Sequence, residues 1–427
     1  MADYKKKRHQ NGVTKKQVNG KKYSDEYDEI EFSSKKRPIK VSEKKRNTRK
    51  GPDKYTRIFI STAFIILFLA AFFILRLLHP VGVIEYINHV YSSWGTTGSY
   101  SIEIDGGKPS SCINFGNMYA LVTDTSINIY NRNGKTVLEA QHNYSQPVFK
   151  CGDTRYLLYG QGEKTLDICT LTKTVYKHTF DKNIICAAIS HSGNYAVATK
   201  ADGYDSKVMV FNKNNKKVYE WYSTDETVNS IALSNDGKSL AVATVKVENG
   251  KFVSNFYVFQ YTSANPVLSR NYSDNVIYKI DSTASNIFCL SFDNSLVFIN
   301  FKKNTDAVHS SEYLVSMIKH YGNKTIVMRT VAANQDESLF EIYSSRGKLI
   351  SSFKIGKNVT DYSYSNGNIY TLGLSDIYKY SEKGNLSAST PSAYDAVFIE
   401  AISSDNIALV CNSTVEKYKL NSVEDKQ

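Results

Sequence analysis

Few stretches of this sequence bring together residue types that do chemistry. Ser190-His191-Ser192-Gly193 sets hydroxyls beside an imidazole, the pairing an activated nucleophile needs, but the same residues also spell a tight turn. Asp202 and Asp205 offer oxygen ligands for a cation, without the order of an EF-hand loop. The eight histidines are scattered, none paired at metal-ligand spacing. There is no His-Glu-x-x-His, no phosphate-binding P-loop, no Gly-x-Ser-x-Gly and no strand-linked Gly-x-Gly-x-x-Gly. No catalytic residue, cofactor site or metal ligand is assigned, and a non-enzymatic protein is expected. The residues left with a function to propose are Tyr204, Asp205, Lys246, Lys251, Phe252 and Gln335. They fall in three long segments, 200–206, 245–254 and 331–338, and are expected to form a partner-binding rim, because loops held by a rigid scaffold carry recognition.

The six cysteines are Cys112, Cys151, Cys169, Cys186, Cys289 and Cys411. Most lie inside apolar runs such as Ile184-Ile185-Cys186-Ala187-Ala188-Ile189, which favours buried thiols over a disulfide framework. Cys112–Cys151, at matching places in consecutive repeats, is the first pair to test. Asn-x-Ser/Thr occurs at Asn143, Asn271, Asn323, Asn358, Asn385 and Asn412, and matters only in a eukaryotic secretory pathway.

The elements that position these residues begin with an apolar rod. Residues 58–74 carry no charge, and 75–78 extend the run with Arg76 in the last turn, where its side chain can snorkel. About 20 residues at roughly 1.5 Å each span a hydrocarbon core. A cleavable signal peptide has a shorter front and a shorter apolar run, so 58–78 reads as a signal anchor. Residues 1–57 hold 19 Lys/Arg against 8 Asp/Glu, including Lys5-Lys6-Lys7-Arg8 and Lys44-Lys45-Arg46. This basic, core-less tail belongs in the cytoplasm by the positive-inside rule, close to anionic lipid. Residues 79–427 hold 33 cations and 33 anions, a neutral body that does not suit a nucleic-acid partner.

That body is a repeat. Turn signals recur at Gly116-Asn117, Gly152-Asp153, Gly193-Asn194, Asp236-Gly237, Ser285-Asn286, Gly322-Asn323, Gly367-Asn368 and Asp405-Asn406, in steps of roughly 36 to 49 residues. A short apolar strand follows each turn, as in Tyr195-Ala196-Val197-Ala198-Thr199. An alternating strand ending in an aromatic comes next, as in Lys207-Val208-Met209-Val210-Phe211. Its alternation predicts one wet face. Four short strands per repeat make the blade of an all-β, WD40-like β-propeller, and the count favours eight blades over seven. The last repeat stops near Leu420 without a fourth strand, and Tyr100-Ser101-Ile102-Glu103-Ile104 stands unused at the front. Placing this strand in the last blade closes the ring and removes an open edge. The expected domains are the tail 1–57, the transmembrane helix 58–78, a juxtamembrane helix and flexible linker 79–98, the propeller 99–420 and a polar end 421–427.

The layout from 58 to 420 resembles an uncharacterised family of membrane-anchored β-propellers from low-GC Gram-positive bacteria, catalogued as a domain of unknown function. Its carriers are Gln146-Pro147, Gly193-Asn194-Tyr195-Ala196-Val197-Ala198-Thr199 with Tyr204-Asp205-Ser206-Lys207-Val208, and Ser234-Asn235-Asp236-Gly237-Lys238. The resemblance implies a fold and a cell-membrane location, and no activity. Three functional readings stand. The favoured one is an extracytoplasmic binding or scaffold module for a protein or a cell-envelope polymer. The others are a cell-wall glycan-active enzyme with paired carboxylates in the propeller channel, and a transmembrane sensor.

Overall fold

The computed structural model describes residues 53–78, 82–94, 98–331 and 337–422. The first element, α1, is the 25-residue helix Lys54–Leu78. Its stretch Lys54–Ile74, with mean hydropathy 2.4, is long and apolar enough to cross a membrane. A second helix, α2, spans Val83–Ser93.

The remaining described elements are β-strands arranged as eight antiparallel sheets. Seven are consecutive meanders covering 109–141, 147–179, 184–223, 227–273, 279–310, 314–355 and 361–391. The eighth takes three strands from 396–419 and its fourth from Ile102–Glu103 at the other end of the chain. Ile102 lies opposite Val415 and Glu103 opposite Thr414. The Ile104 N–H donates to the Ser413 carbonyl at 2.8 Å and continues the pairing. The chain is an eight-bladed β-propeller closed by its own N-terminal strand, which covers the outer edge of the last blade's third strand.

Ring closure is also visible in the packing. Buried apolar residues divide into eight clusters, one in each joint between neighbouring blades. The joint between the last blade and the first holds Tyr119, Leu121, Tyr130, Ala408, Val410 and Val415, with Ile102 against them. Both faces of each inner sheet are therefore covered. This corrects the expectation of a wet face for third strands such as the first blade's, while Thr414–Lys419 in the last blade does expose alternate positions. Ser126–Asn131 is buried at all six positions although it alternates polar and apolar. Its polar side chains are satisfied internally: the Ser126 hydroxyl donates to the Asp105 carbonyl at 2.8 Å and the Asn128 amide to Ser126 Oγ at 3.0 Å. Alternation toward solvent also occurs in fourth strands, such as Leu349–Ile355.

Two of the expected loops are not loops. Tyr195–Ala201 and Tyr204–Phe211 run into each other through Asp202-Gly203 alone. Ser239–Glu248 and Lys251–Gln260 form a ten-residue ladder turned by Asn249-Gly250. Both turn residues have positive φ, 50° and 76°, the tight hairpin that matches strand twist. Polar composition in 245–254 marks a hairpin standing beyond the sheet. Residues 421–422 also differ from expectation: they pair with Leu386–Pro391 as a fifth strand of the seventh blade. Gly98, expected in a flexible linker, is packed instead. A Cβ there would lie 2.4 Å from the Lys135 nitrogen and 2.5 Å from the Asn133 carbonyl oxygen.

A meander puts its turns on two rims. Turns joining first to second and third to fourth strands share one rim; turns joining second to third strands, and the links between blades, share the other. α2 docks on the first. Arg155, in the first turn of the second blade, donates through Nε and Nη2 to the Glu85 carboxylate at 3.0 and 2.7 Å, and through Nη1 to the Lys213 carbonyl at 2.6 Å. The His89 ring meets Phe115 edge-on at 4.9 Å. This side is the α2 rim, and the opposite side is the hairpin rim.

Candidate functional site

The hairpin 239–260 stands on the hairpin rim and positions three of the predicted residues. Antiparallel register sets Val247 opposite Phe252 and Glu248 opposite Lys251. Val247 is 63% exposed and Phe252 57%, an apolar cross-strand pair in open solvent. Lys251 pairs with Asp274 at 2.9 Å, both exposed. Lys246 is half-buried and lies 2.7 Å from Glu248 and 3.5 Å from Glu226; the hydrogen bond to Glu248 raises its ammonium above the ordinary lysine value. An open groove of about 550 Å³ runs along the base, lined by Asp225, Thr227, Val245, Lys246, Val247, Glu248 and Phe252.

Sequence reading missed Glu226, the residue that holds this base. Its carboxylate is buried and accepts from Thr244 Oγ1, from the Asn255 amide at 2.6 Å and from the Tyr257 hydroxyl at 3.2 Å. Those donors come from the second and third strands of the blade that Glu226 introduces. The only available signal was Asp225-Glu226 directly before a strand, and nothing in that pair says that one carboxylate turns inward.

Tyr204 and Asp205 lie on the neighbouring blade, both exposed. The Tyr204 ring is 4.7 Å from Tyr222, and Lys207 sits over Tyr222 at 5.2 Å while pairing with Glu220. Although burial opposes it, the bonds from Lys207, Lys217 and Tyr222 hold the Glu220 carboxyl down at about 2. Asp202 pairs with Lys182 at 2.6 Å. The structure thus brings Tyr204, Asp205, Lys246, Lys251 and Phe252 onto two adjacent hairpins. Gln335 lies outside the described residues.

The two rims differ in charge. Among described residues in the segments between strands, the hairpin rim carries twelve Asp/Glu against four Lys/Arg. The α2 rim carries twelve Lys/Arg against four Asp/Glu. The body is neutral in sum and strongly polarised in space.

Other candidates resolve into structure. His191 turns toward Asp153 at 2.6 Å, which raises its imidazole pKa, while Ser190 bonds Ser192 and the Asn194 backbone, so this segment is a turn on the α2 rim. All six cysteines are free thiols. Cys151 ends its strand whereas Cys112 stands three residues before the end of its own, so the two are not at matching places; the Cys151 thiol points to the Asn114 carbonyl at 3.5 Å. Burial pushes Cys151 and Cys186 up to about 12, far from reactive thiolates. On the innermost strands, carboxylates meet cations. Asp361 lies 2.6 Å from Lys319, and Asp281 lies 2.9 Å from Lys279 and 3.2 Å from His320. Burial opposes ionisation of Asp281, yet Lys279 and His320 hold its carboxyl well below the usual range. Burial raises Glu400, against Arg132 at 3.8 Å and the Asn114 amide at 2.9 Å. Each of these carboxylates has a cation beside it.

BamB from Moraxella catarrhalis aligns at 8% identity with a TM-score of 0.49, covering 76% of this chain and 99% of that one. The β-propeller domain of Myceliophteria thermophila Cps50 (Swd1) aligns at 12% identity with a TM-score of 0.43, covering 76% and 100%. No curated protein matches the sequence. Residues 87–420 match the profile of a family of unknown function, DUF5711, and the chain belongs to that family.

Proposed function

We propose that this protein is a membrane-anchored, non-enzymatic binding module whose hairpin rim takes a partner that presents cationic and apolar groups together. The partner is a basic segment of an extracytoplasmic protein or a cationic envelope polymer. The observation that carries the reading is the exposed Val247–Phe252 pair beside a groove, on a rim with three acidic residues for each basic one. Apolar side chains supply affinity by desolvation, and a one-signed field steers an oppositely charged partner. The uncharged run of α1 supports a single membrane span, and the cation excess of 1–57 supports a cytoplasmic N-terminus with the propeller outside.

The test is a photo-crosslinking side chain at position 252 in intact cells, with the same probe at Lys348 on the α2 rim as reference. The reading expects a discrete adduct from position 252 that weakens in Val247→Ser and at high salt. Equal adducts from both positions, or none from 252, would overturn it.

A further inference from the structure

α2 is amphipathic the wrong way round for a helix on a soluble domain. At about 100° per residue, Ile84, Ile87, Tyr91 and Trp94 fall within an arc of roughly 80°. All four are between 52% and 80% exposed. The opposite arc, with Glu85, Tyr86, His89, Val90, Ser92 and Ser93, is the half-buried one. It holds the groups that dock on the propeller, Glu85 to Arg155 and His89 to Phe115. A surface helix ordinarily turns its apolar stripe to the core and its charge to water. Here the charge and Val83 face the protein, and the stripe of Ile84, Ile87, Tyr91 and Trp94 faces out.

We infer that the exposed stripe of α2 lies in the headgroup–acyl boundary of the bilayer that α1 enters, so that α2 seats the propeller on the membrane by its α2 rim. This rests on the reading of α1 as a membrane span. Three further observations commit the stripe to that occupant. Only four residues separate Leu78 from Val83, so the chain cannot carry α2 more than about 18 Å from the end of α1. Tyr91 and Trp94 are the side chains that settle at a membrane–water boundary, apolar in body and polar at one edge. The rim that α2 docks on is the basic one, twelve cations to four anions among described residues, and it suits anionic headgroups. The helix is a bracket with one face pinned by Arg155 and the other in lipid. It leaves the acidic hairpin rim turned away from the membrane, open to a partner.

The test uses the full chain in phosphatidylcholine–phosphatidylglycerol vesicles. Trp94 and Trp221 are the only tryptophans, so Trp221→Phe makes Trp94 the sole reporter. Lipids brominated near the headgroup should quench Trp94 strongly, and lipids brominated near the chain end weakly. Ile87→Asp should cut the shallow quenching about threefold, with the propeller melting temperature unchanged because Ile87 touches solvent. Alkaline extraction of the same vesicles separates the two readings. Protein that resists extraction with Trp94 unquenched overturns the seating of α2 and leaves the anchor standing. Protein released by alkali overturns the anchor, and the seating with it. Concentration-dependent crosslinking between α2 helices of two copies, with Trp94 unquenched, assigns the stripe to a second chain and also overturns the inference.

Discussion

Removing the Glu85 carboxylate tests how α2 is held. Arg155 is 6% exposed at its side chain and Glu85 28%, and the pair is bidentate at 2.7 and 3.0 Å. In Glu85→Ala the docked state keeps a buried guanidinium that is still bonded to the Lys213 carbonyl at 2.6 Å. Stripping the counter-charge from a buried ion costs about 3–5 kcal/mol. Glu85 is partly hydrated and the carbonyl remains, so the lower end, about 3 kcal/mol, applies. Only the docked state bears this cost, because undocking lets water reach Arg155. The rest of the contact, buried Val83 and the His89 edge on Phe115, contributes roughly 2–3 kcal/mol, so Glu85→Ala brings docking close to even. Arg155→Ala is milder, about 1 kcal/mol, since a carboxylate at the margin rehydrates. Spin labels at Asn88 on α2 and Lys348 on the α2 rim read the outcome in the full chain. One narrow distance is expected for the parent and for Arg155→Ala, and a broad distribution for Glu85→Ala. A narrow distance in Glu85→Ala, or equal broadening in both variants, refutes the reasoning.

Three other outcomes are expected. Acidification should undock α2: burial lowers the His89 pKa from 6.5, so its contribution is complete above pH 6.5 and is lost as pH falls through the depressed value, read by the same label pair. Ile102→Asp should open the ring, since Ile102 packs in the closing joint and pairs with Val415; about 2 kcal/mol is lost, seen as a lower melting temperature and early proteolysis after residue 98. Arg329 is fully buried and bonds Glu341 at 2.6 Å, the Asn294 carbonyl at 2.9 Å and the Tyr313 carbonyl at 3.3 Å, so Arg329→Ala should speed amide exchange in the joint of blades five and six by about 4 kcal/mol. Arg329→Met with Glu341→Leu should recover part of that loss, and failure to do so would assign the effect to packing.

Residues 58–74 announce a membrane-crossing length because hydrophobicity along a helix needs no knowledge of neighbours. Eight turn signals announce eight blades because each blade repeats the same local demands. The closing strand was legible for a related reason: one repeat lacks a fourth strand and one strand lacks a repeat, and an open edge is costly. Local pattern was less informative where a neighbouring blade decides. Ser126 and Asn128 read as solvent-facing, and the segment at Asp105, which follows the closing strand, covers them. Residues 245–254 read as a loop, and the positive φ of Asn249 and Gly250 lets the ladder continue to the tip. Glu226 was invisible because its donors come from strands that begin only after it in the chain.

The chain by itself determined an apolar rod, a cationic leader and a neutral β-repeat of eight units. Folding alone decided where the charge of that neutral body lies. Along the chain, turns of the two rims alternate, so acids and bases interleave and cancel over the body as a whole. The meander sends every second turn to the same side and separates them, twelve to four on one rim and four to twelve on the other among described residues. The same holds for α2, whose pattern of apolar positions shows a stripe but not its direction. That direction was set by Arg155, a residue seventy positions away, whose guanidinium took the polar face and left the apolar one outside.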